Sequence, residues 1–565
     1  MTAAGPAPAT QLPPLLAGLR ATAADDPTRA ALIMADGGRL DFATLHGRVC
    51  AGVAALRRHG VADGARTVML VPPGPAFVVA AFALLAAGAV PVLVDPGIGV
   101  RRLRRALADV EPQAFVGSRR AHVARRLLRL APTAHHLITT EDTWPSGLAA
   151  ADDDGRDWTP RSSGDEAALL FTSGSTGPPK AVVYRHRHFA AQLAALCDAY
   201  DLTPGEVTVA TFPPFALFGP ALGQTTVLPA MDFTRPVATD PAHLVDLVRR
   251  HRADLLFASP ALLGVLARHG AVTGAQLPTL RLALSAGAPV PATVVAGTAA
   301  LLRPDALLAT PYGMTEALPI ATIDGAALQA AATLHDPPRG VCVGTPVTGT
   351  GVAVIAVSED PLPRVPPGAL LPDGQVGELV VSGAQVTDAY AGRTAATARA
   401  RTVLDGRPAH RTGDLGWRDA DGRLWFCGRT VQRVPTADGP LDPLPVEQLA
   451  LADRRVWRAA LVGVPTHAAI RAPVLVVQPV PGALPSWPPG ARRARAALTA
   501  DLRRRLDAHP HSARVTRVLL RRRFPVDARH NAKIGYEQLA RWATARLRGR
   551  TTWVGRRAFG GGAPS

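Results

Sequence analysis

The first part of the chain alternates short apolar runs with longer stretches of helical composition. Apolar runs of the length of buried strands occur at 67–71, 89–94, 255–258 and 280–285. Stretches of helical composition occur at 76–87 and from 101 to 108. Strands and helices that alternate along a chain are typical of mainly parallel sheets flanked by helices. The pattern therefore predicts an α/β fold.

One apolar segment, Ala76 to Val94, is apolar enough to suggest a membrane span. It contains Gly88 and Pro91 and is followed by Asp95, so it predicts a buried helix followed by a buried strand. The N-terminal segment lacks the basic start of a secretory signal peptide. We expect a cytoplasmic protein that is not integral to the membrane.

The length of 565 residues exceeds that of one ordinary domain, and 47% hydrophobic residues can form a large core. The composition becomes strongly basic near 426–433, which predicts a large domain over 1–428 and a small domain over 429–565. The four cysteines are far apart and match neither a disulfide framework nor a zinc pattern, which favours a reducing compartment.

The formal charge of +18 is concentrated at one end. From Arg429 onward the chain has 25 Lys and Arg against 8 Asp and Glu, so the preceding part is nearly neutral as a sum. A basic module of this kind could face anionic lipid, an acidic partner or ATP phosphates, or its charges could simply be solvated helix faces. Aromatic residues are 5% and no recognition module is present, so a nucleic-acid partner is not expected.

Lysine is unusually scarce. Only two of the 62 Lys and Arg residues are lysines, Lys180 and Lys533, and Asn531 is the only asparagine. Arginine can replace lysine as a surface charge, but not where a compact ammonium must reach one atom. The two lysines are therefore candidates for chemistry.

Lys180 ends a loop that has the composition of a phosphate site. The loop follows an apolar strand and consists of small hydroxyl residues and glycines, namely Thr172, Ser173, Gly174, Ser175, Thr176 and Gly177, followed by Pro178, Pro179 and Lys180. Glycines let backbone N–H groups approach phosphate oxygens, and the lysine adds positive charge. The two prolines exclude the helix that a Walker A loop requires.

Four further motifs follow in order along the chain: Ser285–Pro289, Tyr312–Glu316, Thr412–Leu415 with Gly428–Arg429, and Arg529–Ile534. With the phosphate loop, they resemble the signature of the adenylate-forming superfamily, which includes acyl-CoA synthetases, peptide adenylation domains and luciferases. The resemblance covers most of the chain. It implies a large N-terminal domain of β-sheets flanked by helices and a small, mobile α+β C-terminal domain.

The resemblance also implies two cofactors, ATP and Mg²⁺, and a role for each motif. The loop from Thr172 to Gly177, with Lys180, would bind phosphates. Adenine would lie against Gly287, Ala288, Pro289, Tyr312 and Gly313, the α-phosphate against Thr315, the magnesium ion on Glu316, and the ribose on Asp414 and Arg429. Lys533 would be the mobile catalytic lysine that stabilises charge as the carboxylate attacks.

Two departures put thioester formation with CoA in doubt. Val431 stands at the usual hinge position without the glycine that follows it in CoA ligases, and Ala216 replaces a histidine common in them. The aromatic residues around Ala216 suit an acyl pocket, although ordinary core packing is an equal interpretation. The predicted pocket residues are Phe212, Phe215, Ala216 and Phe218.

These same stretches are similar to one subfamily, the β-lactone synthetases of olefin pathways. The resemblance implies that the chain adenylates a 2-alkyl-3-hydroxy fatty acid, whose own hydroxyl then displaces AMP. His186, His188 and His410 are available to accept the hydroxyl proton, but the sequence does not choose among them. The alternatives are a fatty acyl-CoA or acyl-carrier-protein ligase, and a catalytically inactive scaffold; assembly with other lipid-pathway enzymes could use the basic domain.

Overall fold

The computed structural model describes residues 11–94, 98–143, 157–172, 179–466, 470–484, 488–526 and 534–555. Within these ranges the chain forms three large sheets, a small C-terminal sheet and a two-stranded ribbon.

The strands are numbered in chain order. They are β1 (Ala30–Met34), β2 (Arg39–Asp41), β3 (Arg66–Leu70), β4 (Val90–Leu93), β5 (Ala114–Gly117), β6 (His136–Thr139), β7 (Glu166–Phe171), β8 (Ala181–Arg185), β9 (Val207–Ala210), β10 (Thr225–Leu228), β11 (Leu255–Phe257), β12 (Leu282–Leu284), β13 (Leu307–Ala309), β14 (Tyr312–Met314), β15 (Ala317–Thr322), β16 (Val341–Pro346), β17 (Gly351–Ile355), β18 (Gly377–Ser382), β19 (Arg401–Leu404), β20 (Arg407–Arg418), β21 (Leu424–Arg429), β22 (Val434–Thr436), β23 (Gly439–Leu441), β24 (Val456–Pro465), β25 (Arg471–Pro479) and β26 (Arg517–Leu520).

The α-helices are numbered in the same way. They are α1 (Pro14–Asp25), α2 (Phe42–Arg58), α3 (Pro75–Ala86), α4 (Val100–Val110), α5 (Arg119–Leu128), α6 (Thr140–Thr143), α7 (His186–Tyr200), α8 (Phe218–Ala221), α9 (Pro241–Arg250), α10 (Pro260–Thr273), α11 (Ala292–Ala299), α12 (Gly325–Ala331), α13 (Thr394–Ala400), α14 (Pro443–Leu451), α15 (Pro488–Asp507), α16 (Pro510–Ala513) and α17 (Tyr536–Gly555).

The first two sheets are mainly parallel, as the alternation of strands and helices predicts. The six-stranded sheet has the order β6-β5-β3-β4-β7-β8, and β8 alone is antiparallel to its neighbour. The seven-stranded sheet has the order β13-β12-β11-β9-β10-β1-β2, with β2 antiparallel at the edge. The α/β prediction and the predicted sheets with flanking helices are confirmed.

The third sheet is antiparallel, which the pattern of the first part of the chain does not indicate. Its order is β14-β15-β16-β21-β20-β18-β17, and β19 pairs with β20. The hairpin of β14 and β15 is at one edge, and the long strand β20 lies near the centre. This sheet carries the Tyr312–Glu316 and Thr412–Leu415 motifs.

Several helices begin where the sequence supplies a side-chain cap. Asp41 accepts from the Thr44 N–H before α2, and Ser259 accepts from the Leu262 N–H before α10. Such caps satisfy backbone donors that have no partner in the first helical turn. The short polar side chains therefore fix where these helices leave the sheets.

The apolar segment from Ala76 to Val94 lies in the interior. Ten consecutive residues of α3, from Phe77 to Ala86, are buried, and β4 follows in the middle of the six-stranded sheet. Helix α3 contains only twelve residues. No helix in the described ranges is long and apolar enough to cross a membrane.

The C-terminal sheet of β24, β25 and β26 packs against α14, α15 and α17. Glu447 of α14 is buried beneath it, and its Oε1 accepts from the Leu461 N–H at 2.9 Å. The Tyr536 hydroxyl donates to the same carboxylate, 2.9 Å from Oε1 and 3.0 Å from Oε2. Because Tyr536 is the first residue of α17, this contact fixes the start of the last helix.

Burial raises the pKa of Glu447 from 4.5 to about 7. The folded protein therefore binds this proton more tightly than the unfolded chain, and stability present below about pH 4.5 is lost as the pH rises through about 7. The free energy of unfolding falls by at most roughly 3 kcal/mol over this pH range. We predict that Glu447→Gln removes this pH dependence and leaves a more stable protein at about pH 8.

The measurement is urea unfolding of the full chain across that pH range, followed by tryptophan fluorescence. Tyr536→Phe is the matched control, because it deletes the hydroxyl donor and leaves the buried carboxyl in place. If the Gln variant loses stability with rising pH as steeply as the unmodified chain, Glu447 is not the group responsible.

Candidate active site

A cavity of about 2570 Å³ lies where the mainly parallel sheets meet the antiparallel sheet and α14. Its wall includes residues of every predicted motif that falls within the described ranges. Charged and hydroxyl side chains form one part, and a group of phenylalanines forms another. The cavity therefore joins a polar nucleotide-sized region to an apolar one.

The phosphate loop connects the last two strands of the six-stranded sheet. Its two ends are joined, since the Thr172 N–H donates to the Lys180 carbonyl at 3.0 Å and the Lys180 N–H donates to Thr172 Oγ1 at 3.3 Å. Both residues line the cavity. The residues between them that were predicted to bind phosphate, Ser173, Gly174, Ser175, Thr176 and Gly177, lie outside the described residues.

Lys180 lies among charged and aromatic side chains. Its Nζ is 4.7 Å from the centroid of the Tyr390 ring, a cation–π distance. Burial lowers its pKa, the carboxylate of Glu316 raises it, and the nearby Arg429 and Arg399 lower it further. A cationic pocket of this kind is arranged to receive an anion such as a polyphosphate.

The turn that carries Thr315 and Glu316 is held from several directions. The Tyr184 hydroxyl donates to the Thr315 carbonyl at 2.7 Å. The backbone N–H and the hydroxyl of Thr387 both donate to the Glu316 carbonyl, at 2.9 and 3.0 Å. These bonds fix the turn before any ligand binds, so the Thr315 hydroxyl and the Glu316 carboxylate are pre-positioned in the cavity wall.

The Glu316 carboxylate is a suitable ligand for Mg²⁺. One oxygen, Oε1, accepts a 2.6 Å hydrogen bond from the Tyr390 hydroxyl, which orients the group. The described residues contain no cluster of three or more His, Cys, Asp or Glu side chains that could hold a metal. One protein carboxylate, with phosphate and water oxygens as the other ligands, is the usual arrangement for this ion.

Asp414, the predicted ribose ligand, is buried in the cavity wall. The Arg429 Nε lies 2.8 Å from its Oδ1, and the Tyr312 hydroxyl donates to its Oδ2 at 2.7 Å. Burial raises the pKa of Asp414, while the positive charge of Arg429 lowers it. Strands β20 and β21 place Asp414 and Arg429 directly opposite each other. The structure thus brings three predicted nucleotide residues into one contact.

The predicted adenine residues Gly287, Ala288 and Pro289 follow β12 and line the cavity, as does Gly313. Gly287 has a φ of +97°, which favours glycine. A Cβ at Gly313 would lie 2.6 Å from Leu318 Cδ1 and 2.9 Å from the Ala317 carbonyl oxygen. Small residues here are therefore required by the backbone path.

The predicted acyl residues divide between the cavity wall and the core. Phe212, Phe215 and Phe218 line the cavity. They are three residues apart along the 3₁₀ helix Pro213–Leu217 and its flanks, and three residues make one turn, so they share a face. Phe215 also stacks on Phe257 with ring centroids 4.0 Å apart, a wall residue that the sequence pattern did not indicate.

Ala216 lies apart from the three phenylalanines. It falls outside that face, is only 1% exposed and belongs to the hydrophobic core, and it does not line the cavity. Its neighbour Leu217 does line the cavity.

Of the three candidate proton acceptors, only His410 belongs to the cavity wall. Its Nδ1 lies 3.1 Å from the Ala400 carbonyl, and burial keeps its pKa well below the ordinary value, so the ring is neutral at physiological pH. His186 and His188 instead lie in the first turn of α7, where the Arg185 N–H donates to His188 Nδ1 at 3.0 Å. Their position indicates a structural role.

The predicted catalytic Lys533 lies outside the described residues. Ile534 and Tyr536, which follow it in the sequence, line the cavity. Val431, at the expected hinge position, is 68% exposed on the connection between β21 and β22.

The family model for AMP-binding enzymes matches residues 19–391. The chain belongs to this family. The adenylate-forming resemblance and the ligase activity class that the motifs predict are thereby confirmed.

Curated relatives match nearly the whole chain. An olefin β-lactone synthetase of Xanthomonas campestris pv. campestris is 48% identical over 516 residues, which cover 89% of this chain and 91% of that protein. An olefin β-lactone synthetase of Stenotrophomonas maltophilia is 46% identical over 90% of this chain and 92% of that protein. A feruloyl-CoA synthase of Amycolatopsis is 31% identical over 76% of this chain and 81% of that protein.

Solved structures share the fold. ATP-bound MatB from Rhodopseudomonas palustris superimposes with a TM-score of 0.74 and 22% identity, over 93% of this chain and 99% of that one. The amide bond synthetase McbA from Marinactinospora thermotolerans gives a TM-score of 0.75 and 23% identity, over 94% of this chain and 99% of that one. The likeness extends over both the large N-terminal part and the C-terminal sheet.

We predict that Asp414→Asn raises the KM for ATP by about ten- to a hundredfold, because a charged acceptor for ribose hydroxyls is lost. The variant should also unfold more easily, by about 1 kcal/mol, since the half-buried Arg429 loses its carboxylate partner. Steady-state diphosphate exchange and urea unfolding measure the two effects.

Tyr312→Phe is the matched control for Asp414→Asn. It removes one hydrogen bond to Asp414 and leaves the ion pair with Arg429, so its effect on stability should be smaller. An unchanged KM for ATP in the Asn variant would contradict a ribose-binding role for Asp414.

Proposed function

We propose that the chain converts a 2-alkyl-3-hydroxy fatty acid into a β-lactone, with ATP as the activating substrate and Mg²⁺ bound at Glu316. The observation that carries the proposal is the continuity of one cavity, in which the polar groups around Lys180, Glu316 and Asp414 adjoin the phenylalanines of the predicted acyl wall. The 48% identity to an olefin β-lactone synthetase supports the choice of product.

The first step is adenylation. A carboxylate oxygen of the fatty acid forms a bond to the α-phosphorus of ATP, and the bond to diphosphate breaks. In this proposal Lys180 binds phosphate, Thr315 contacts the α-phosphate, and Asp414 with Arg429 holds the ribose. The cation on Glu316 neutralises charge on the phosphates when it is bound. Lys533 would be supplied by the C-terminal domain to stabilise the charge on the attacked phosphate.

The second step is intramolecular. The oxygen of the 3-hydroxyl bonds to the acyl carbon, the bond from that carbon to AMP breaks, and the hydroxyl proton is lost. Because the nucleophile is already tethered to the acyl group, no second substrate has to be positioned. The apolar wall of Phe212, Phe215 and Phe218 would hold the alkyl chains and keep the hydroxyl beside the acyl carbon.

A fatty acyl-CoA or acyl-carrier-protein ligase remains the second candidate, favoured by the 31% identity to a feruloyl-CoA synthase. It shares the adenylation step and differs only in the nucleophile. A scaffold without activity is disfavoured, because such a protein would have no reason to keep buried carboxylates and Lys180 around one cavity.

We also propose the division into domains at 428 and 429, since β21, the last strand of the antiparallel sheet along the chain, ends at Arg429 and a separate sheet follows. All four cysteines are free thiols, which supports a cytoplasmic location. Binding of other lipid-pathway enzymes to the basic C-terminal domain is a further part of the proposal.

We predict that purified protein, ATP, Mg²⁺ and a 2-alkyl-3-hydroxy fatty acid yield β-lactone, AMP and diphosphate without CoA. Mass spectrometry of the lipid product and a diphosphate assay measure this. The matching acid without the 3-hydroxyl is the control, and it should give diphosphate exchange but no lactone. Product that appears only with CoA, as a thioester, would establish the ligase alternative.

We predict that Lys533→Ala lowers the rate of adenylation by at least about a thousandfold, as expected for removal of a charge that acts in the transition state, and leaves ATP affinity largely intact. Diphosphate exchange and equilibrium binding of ATP measure the two quantities. Arg529→Ala, which removes a charge from the same motif, is the control. Equal losses of rate and ATP affinity would contradict a purely catalytic role for Lys533.

A further inference from the structure

Helices α4 and α5 lie side by side on one face of the six-stranded sheet. The connections β4–α4–β5 and β5–α5–β6 run in the same direction across the strand order, and right-handed crossovers then place both helices on the same face. Leu103 and Leu107 of α4 and Ala121 of α5 belong to one hydrophobic cluster with Phe115 of the sheet. The outer sides of the two helices therefore form one continuous surface, here called the α4–α5 face.

The α4–α5 face is strongly basic. Residues 100–130 contain nine arginines and only two acidic residues, Asp109 and Glu111. Asp109 is already paired with Arg393 at 2.5 Å. Among the described residues, Arg119 is the one arginine of this face that forms an ion pair, with Asp142. The arginines of the face, all exposed except the half-buried Arg125, are Arg101, Arg102, Arg104, Arg105, Arg119, Arg120, Arg125, Arg126 and Arg129.

Large apolar side chains project from the same surface. Leu127 is 78% exposed and Val123 is 58% exposed, and they lie four residues apart on α5, which places them on one side of that helix. Leu128 and Leu137 are also exposed nearby. On α5, Val123 lies within one helical turn of Arg119, Arg120 and Arg126, and Leu127 directly follows Arg126. These apolar side chains are therefore interspersed with arginines rather than gathered at a charge-free centre.

We propose that the α4–α5 face binds the surface of an anionic phospholipid membrane. Basic helices with exposed leucine lie at lipid interfaces, where arginines contact headgroup phosphates and apolar side chains reach the acyl boundary. The core of a protein interface is instead depleted of charged residues. The phosphates of a nucleic acid would make no apolar contact with Leu127 and Val123. The charge pattern and the scattered leucines together fit the membrane.

The position of the face gives such binding a consequence for substrate access. Val94 lines the cavity, and α4 begins six residues later at the same edge of the sheet. A membrane held by α4 and α5 would therefore lie near the edge of the sheet at which Val94 lines the cavity. The inference does not require the product to be a lactone, since it rests on the surface alone.

The test is co-sedimentation of the full chain with vesicles of phosphatidylcholine alone and with phosphatidylglycerol added. We expect binding only to the anionic vesicles, weakened by salt. Each arginine near the surface contributes about fivefold in affinity, so the triple variant Arg104→Ala, Arg120→Ala, Arg126→Ala should bind about a hundredfold more weakly. Leu127→Ser, which leaves the charge unchanged, should weaken binding by about tenfold.

The matched control removes the same charge from another basic helix. The triple variant Arg492→Ala, Arg493→Ala, Arg495→Ala alters exposed residues of α15, which carries no exposed large apolar residue in its described part. It should bind vesicles nearly as well as the unmodified chain. Diphosphate exchange should be unchanged in all variants, which shows that they are folded and separates this inference from the proposed activity.

Three results would overturn the proposal. The first is the absence of binding to phosphatidylglycerol vesicles. The second is an equal loss of binding in the α15 variant, which would mean that net charge alone is responsible. The third is binding of a soluble acidic polymer such as polyglutamate through the α4–α5 face while vesicles are ignored, which would assign the surface to an acidic protein.

Discussion

Two buried carboxylates, Glu316 and Asp414, determine how the polar side chains of the cavity are arranged. Each would be costly to bury alone, and each is oriented by a tyrosine hydroxyl, from Tyr390 and Tyr312 respectively. Asp414 is further paired with Arg429, and Lys180 lies over the ring of Tyr390. Because these groups hold one another before a nucleotide binds, the site does not have to assemble around the ligand. The antiparallel sheet brings into contact residues that are about a hundred positions apart in the sequence, such as Tyr312 and Asp414.

The sequence predicts the parallel sheets and the order of the motifs, because both depend on local patterns of apolar, glycine and hydroxyl residues. It does not predict the antiparallel sheet, in which β16 pairs with β21 far along the chain (Val341 with Phe426), or the partners of Glu316. Tyr390 is 74 residues from Glu316, and no spacing rule connects them. Ala216 shows a related limit, since it matches a family position but a 3₁₀ turn places it in the core.

The amino-acid composition contains a signal for the tyrosines that orient the groups of the cavity. The chain has only five tyrosines, and four of them, Tyr184, Tyr312, Tyr390 and Tyr536, line the cavity with their hydroxyls bonded to a carboxylate or to the Thr315 carbonyl. The argument that scarce lysines are retained for chemistry applies equally to tyrosine. A phenol can donate to a buried carboxylate while its ring packs in an apolar wall.

Net charge is a weaker guide than its distribution. Nearly all of the excess positive charge lies beyond residue 428, yet the preceding part, neutral as a sum, holds nine arginines within the α4–α5 face. The acids that balance them lie elsewhere, many of them in ion pairs such as Asp388 with Arg185 and Glu378 with Arg411. Paired charges create little potential in solvent, whereas arginines that mostly have no ion-pair partner among the described residues create a field over a wide surface of two adjacent helices. A net charge close to zero therefore does not reveal this basic surface. The surface arises because helices α4 and α5 pack their apolar sides against the sheet and expose their arginine-rich sides to solvent.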